Sequence, residues 1–139
     1  EWRYFMRKGI VKHVILSLAV MSFAMLIPVT ASAASRSFEK NLGKFGEHET
    51  VSTMVVTGSI NGTYLEVNSL ERYSSAYFWQ RGSIGGGDKQ VSPGVLCGVG
   101  SNTWLGFYTG ITLQNGQNVI LKSAAYDWLG DTVKGSWYY

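Results

Sequence analysis

Three groups of residues have the side chains that chemistry needs. The first is a thiol and an imidazole. Cys97 is the one cysteine of the chain, and His48 is the one histidine beyond residue 34. A thiol becomes a good nucleophile beside a base. Cys97, however, stands in an apolar run, Val95-Leu96-Cys97-Gly98-Val99, where a cysteine packs as a small hydrophobe. No Gly-x-Ser-x-Gly elbow is present to build a Ser-His-acid triad on His48. The second group is carboxylates. Glu47 and Glu49 flank His48, and in an extended chain the imidazole points away from both. Asp127 and Asp131 are four apart, but two carboxylates fall short of the roughly six to eight oxygens that calcium takes. The third is the glycine-rich stretch 82–87. It lacks the Lys-Ser/Thr ending of a phosphate loop and the βαβ setting of a dinucleotide site. It reads, with Asp88, as a flexible connector. These residues predict no catalytic group, no metal site and no cofactor.

The real excess is aromatic. Beyond residue 34 the chain holds four Trp, seven Tyr and four Phe. Strand alternation turns Phe78, Phe107 and Trp137 inward. It turns Tyr64, Tyr77, Trp79, Trp104, Tyr108 and Tyr138 to the opposite faces. A row of Tyr and Trp on a wet sheet face binds sugar rings, peptide or a lipid interface. On a covered face the same rings would only brace neighbouring strands. Tyr77, Trp79, Trp104 and Tyr108 are the expected ligand-binding residues.

The elements that must position these rings are strands. Residues 51–57 are β-branched, Asn61-Gly62 is a tight-turn signal, and 63–67 alternates, which predicts a hairpin. Further strands are predicted over 76–81, 95–99, 103–109 and 118–122, with a turn at Asn115-Gly116. Residues 132–139 alternate most cleanly, with Val133, Gly135, Trp137 and Tyr139 on one face, and are expected to close the fold. Residues 127–131 have room for one helical turn. Residues 35–49 are polar and charged and read as a flexible segment or a first strand, with Phe38, Leu42 and Phe45 as anchors. About seven short strands without a convincing helix predict an all-β domain over 50–139, a small antiparallel β-sandwich or barrel.

The N-terminal part is of another kind. Basic Arg7, Lys8 and Lys12 precede a charge-free apolar run, residues 14–27, then Pro28 and the small-x-small site Ala31-Ser32-Ala33. That order predicts a cleaved export signal over 6–34. The apolar run is shorter than the roughly 20 residues of a spanning helix, so no permanent membrane anchor is expected. The codons of Trp2-Arg3 can contain a purine-rich ribosome-binding sequence a short way before Met6. Residues 1–5 therefore read as translated upstream DNA, and the source as a Gram-positive bacterium. The precursor has a formal net charge of +3. Four of its twelve basic and one of its nine acidic residues precede residue 34, so the exported part carries eight of each and is neutral. Neutrality without a basic run argues against nucleic acid as a partner. One cysteine excludes an internal disulfide.

The residues Val119, Leu121, Val133, Gly135 and Trp137 form a V-x-L…V-x-G-x-W pattern. It resembles the ending of small secreted, disulfide-free, β-rich proteins of Bacillus and its relatives. That resemblance implies the fold and export but no activity. The closing Trp137-Tyr138-Tyr139 also resembles the aromatic end of bacteriocins of the lactococcin 972 type. Where those carry a histidine-rich centre, this chain has only His48. The expectation is a secreted, non-enzymatic binding protein whose partner is a cell-wall glycan or another protein. The alternative is a bacteriocin-like antimicrobial.

Overall fold

The computed structural model describes residues 34–44 and 47–139. The expected export signal and the segment 1–5 lie outside the described residues, apart from Ala34, and so does Phe45.

Two antiparallel sheets pack face to face. The first has the order β1 (Ser35–Leu42), β11 (Asp131–Tyr138), β4 (Gly62–Leu70), β8 (Asn102–Gly106). The second has the order β2 (Glu49–Val55), β10 (Asn118–Ala125), β5 (Ser75–Ile84). The far side of β5 is shared by β6 (Gly87–Gln90) at one end and β7 (Val95–Gly98) at the other. A two-stranded ribbon, β3 (Ser59–Ile60) with β9 (Leu113–Gln114), completes the set. The all-β sandwich expected from the sequence is the fold observed.

Alternation decides which residues meet inside. β11 buries Val133 and Trp137, β4 buries Leu65 and Val67, β5 buries Ala76 and Phe78, and β10 buries Val119 and Leu121. These side chains join Met54 and Leu105 in one core between the sheets. At its centre lies a polar clasp. Thr63 Oγ1 accepts from Gln80 Nε2 at 2.8 Å and from Trp137 Nε1 at 2.7 Å. Gln80 belongs to one sheet and the other two residues to the other. The clasp therefore fixes how the sheets are offset, because a buried donor that loses its acceptor costs about 1–3 kcal/mol.

The observed strands differ from the expected ones in instructive ways. β1 is a true strand, with all eight residues in register against β11. The predicted hairpin of 51–57 with 63–67 does not exist, because β2 pairs with β10 and β4 pairs with β11 and β8. No non-glycine residue among those described has a positive φ, so Asn61 cannot enter the turn that Asn-Gly signals. Gly62 serves a different purpose: a side chain there would run into the Trp104 ring. Residues 82–88 are not a flexible connector. β5 continues to Ile84, Gly85 and Gly86 turn with φ of 60° and 79°, and β6 returns with Ile84 opposite Gly87. Residues 127–130 hold a bend and a turn rather than a helical turn, and Asp131 already begins β11. β11 is paired as expected, and on both sides, with β1 and with β4. The strand count rises from about seven to eleven because β1, β3, β6 and β9 are polar or only two to four residues long, apart from the eight-residue β1.

Candidate ligand-binding groove

β5 sends Ala76, Phe78 and Gln80 into the core, so Tyr77, Trp79 and Arg81 must stand on the outer face of the second sheet. β10 runs beside them with Lys122 opposite Trp79 and Ala124 opposite Tyr77. The small Ala124 side chain leaves a depression next to the large rings. The result is an open groove of ≈ 410 Å³ lined by His48, Tyr77, Trp79, Arg81, Gln90 and Ala124.

Each lining residue is held by a neighbour. The His48 ring meets Trp79 edge-to-face, centroids 4.8 Å apart at 75°. Trp79 stands on the outer face, yet only 9% of it is exposed. Tyr77 stacks on Tyr126 at 6.2 Å and 16°, and Tyr126 approaches Tyr73 at 6.4 Å. Tyr77, Tyr126 and Tyr73 thus form an aromatic strip, and Trp79 stands on the same face two residues along β5. Arg81 is pinned by the β5–β6 hairpin: its Nε donates to Asp88 Oδ2 at 3.0 Å and its Nη2 to Asp88 O at 2.8 Å. Gln90, opposite Arg81, donates through Nε2 to Ser92 O at 2.8 Å and to Tyr108 Oη at 3.3 Å.

The four residues expected to bind ligand do not share one place. Tyr77 and Trp79 line the groove. Tyr108 lies in the segment after β8 and reaches the groove through Gln90. Trp104 belongs to β8 and stands on the outer face of the first sheet, in register with Tyr64 and, beyond it, Tyr138. There the rings engage one another. Tyr64 lies 4.8 Å from Trp104, and it stacks on Tyr138 at 5.6 Å and 21°. Asn102 Nδ2 holds Tyr138 Oη at 2.6 Å.

Comparison with protein-family models, curated proteins and solved structures finds no match.

The remaining reactive side chains have structural partners. Asp131 Oδ1 accepts from the backbone N–H of Glu71 (2.8 Å), Arg72 (2.9 Å) and Thr132 (2.7 Å), and Oδ2 from that of Tyr73 (2.9 Å). One carboxylate thereby ties the β4–β5 turn to the start of β11, and it does not act together with Asp127. Cys97 is buried on the inner face, opposite Ala76, whereas His48 lies on the outer face against Trp79. Burial pushes the Cys97 thiol above its ordinary value, and a hydrogen bond with Thr103 offsets part of that.

His48, Gln90, Tyr126 and Tyr73 were not among the expected site residues. Tyr126 had a readable signal: continuing the alternation Ile120, Lys122, Ala124 by one more step reaches it. Gln90 had one too, since the Gly85-Gly86 turn folds β6 back along β5 and sets it opposite Arg81. His48 had none, since it precedes β2 and reaches Trp79 by packing alone.

Proposed function

We propose that this domain is an exported, non-enzymatic binding module that takes a cell-wall glycan along the outer face of its second sheet. The observation that carries this reading is the aromatic strip Tyr77–Tyr126–Tyr73 running out of a groove lined by Trp79, Arg81, Gln90 and His48. Sugar rings offer apolar C–H faces to aromatic rings and hydroxyls to planar polar groups. A few fixed polar groups beside an apolar floor are the usual make-up of a small-ligand site, and ≈ 410 Å³ falls in the usual range of about 300–1,000 Å³. The separation of His48 from Cys97 supports binding over catalysis.

The test is co-sedimentation of purified 35–139 protein with Gram-positive cell walls, followed by titration with soluble wall fragments. Tyr77→Ala is expected to weaken binding at least tenfold, about 1.4 kcal/mol. Undiminished binding by that variant would sink the reading.

A second reading has one observation of its own. In the β10–β11 connection Trp128 is 70% and Leu129 is 71% exposed. Adjacent large apolar side chains on a loop tip favour contact with a lipid interface, as a bacteriocin-like antimicrobial requires. Inhibition of related strains, lost in Trp128→Ser with Leu129→Ser, would favour it over the glycan module.

A further inference from the structure

We infer that the groove selects acidic saccharides, units carrying a carboxylate or a phosphate, over neutral ones. This rests on the glycan reading and adds to it the class of sugar.

Apart from tyrosine, the titratable groups lining the groove are Arg81 and His48, and no carboxylate among the described residues lines it. Lys122 stands next to Trp79 on the same face, and its Nζ donates to Thr50 Oγ1 at 2.9 Å, a neutral partner. Two nearby acids are already engaged. Asp88 faces Arg81, and Glu49 pairs with Lys40 of the first sheet at 3.8 Å. The face therefore keeps Lys122 as a cation with no ion-pair partner among the described residues.

Arg81 supplies the geometry. Asp88 takes up Nε and one N–H of Nη2, so the guanidinium is held in a fixed plane. Its Nη1 donates to no acceptor among the described residues. A pinned guanidinium with free N–H groups is suited to an oxyanion, which it meets with two parallel hydrogen bonds. The Tyr77 ring and the side-chain carbonyl of Gln90 remain for the sugar itself, because the Gln90 Nε2 group is engaged by Ser92 and Tyr108 and Trp79 is largely covered. An acidic group sits on such a ligand as a side substituent, beside the ring that the aromatic floor holds.

The experiment is a titration of the 35–139 protein with three probes of similar length. These are a neutral N-acetylglucosamine oligomer, a wall glycan fragment bearing lactyl carboxylates, and a poly(glycerol phosphate) fragment bearing sugar. At low salt an acidic probe is expected to bind at least tenfold more tightly than the neutral one. Raising the salt to about 0.5 M should shrink that gap, since the Debye length falls from about 10 Å at 0.1 M to about 3 Å at 1 M. Arg81→Gln, and independently Lys122→Gln, should each narrow it several-fold. Preference for the carboxylate or for the phosphate probe names the source of the charge, and either supports the inference. Equal affinity for neutral and acidic probes overturns it while leaving the glycan reading in place. Binding to none of the three overturns both.

Discussion

The outer face of the β1-β11-β4-β8 sheet and that of the β2-β10-β5 sheet both carry aromatic rows, built in different ways. On the first sheet Trp104, Tyr64 and Tyr138 come from three neighbouring strands at matching register. The Tyr64 and Tyr138 rings cover one another, and Trp104 lies over the backbone at Gly62. On the second sheet Tyr77 and Trp79 come from one strand and sit beside Ala124, where no ring stands. Cross-strand rings fill each other's space and act as a brace, whereas rings in line along one strand leave a trough beside them. An aromatic excess alone does not mark a ligand site. What stands opposite the rings in register tells the two uses apart: ring opposite ring on the first sheet, Ala124 and Lys122 opposite Tyr77 and Trp79 on the second.

The largest expected effect comes from loss of the carboxylate that anchors the Tyr73 end of the strip. Asp131 collects four backbone N–H groups, including that of Tyr73 at the strip's far end. Hydrogen bonds to a charged acceptor contribute about 1.5–3 kcal/mol each, though not additively. Asp131→Ala is expected to destabilise the domain by about 3 kcal/mol or more, a fall in Tm of more than about 10 °C. Asp131→Asn should fall between the two proteins, because it keeps one carbonyl acceptor. Thermal melts followed by circular dichroism measure this directly. An unchanged Tm for Asp131→Ala would mean the turn holds without its carboxylate.

Next in size is the contrast between the two rows. Trp104→Ala removes a ring that touches Tyr64 and covers Gly62, and should cost about 1–2 kcal/mol of stability. Binding to cell walls should be unaffected. Tyr126→Ala should do the reverse, with a stability change below about 1 kcal/mol and a clear loss of binding. The comparison fails if Trp104→Ala abolishes binding with its Tm intact.

Much of this was legible from the residues. The alternations over 76–81 and 132–139 give the correct inward and outward faces, because each strand has one face in the core and period two carries that information. Which sheet a strand joins is not written in its own period. Residues 51–57 and 63–67 look like partners because Asn61-Gly62 lies between them, yet the ribbon of β3 with β9 carries the chain from one sheet to the other. The site inherits the same limit. Tyr77 and Trp79 share a strand and were readable together. Trp104 looks equivalent in sequence, and only the pairing of β8 with β4 puts it on the other side. His48 reaches Trp79 through packing that no local pattern announces.

The smallest expected effect concerns the thiol beneath the strip. Cys97 is opposite Ala76, one residue before Tyr77, but on the core side. Burial raises its pKa above the ordinary 9.0, so the folded state favours the protonated thiol. The stability this gives is fully present below the pKa of the unfolded thiol. It is lost as pH rises from about 9 through the folded value. The wild type should therefore lose stability more steeply between pH 8.5 and 10.5 than Cys97→Ala, in which other titrating groups are unchanged. Iodoacetamide at pH 8 should label Cys97 slowly in native protein and rapidly in denaturant, since the thiolate is the reactive form. Tyr77→Ala should keep that protection if its lost binding comes from the missing ring alone. Fast labelling of folded Tyr77→Ala would show that the ring also seals the core, and the two faces would then differ less than their geometry implies.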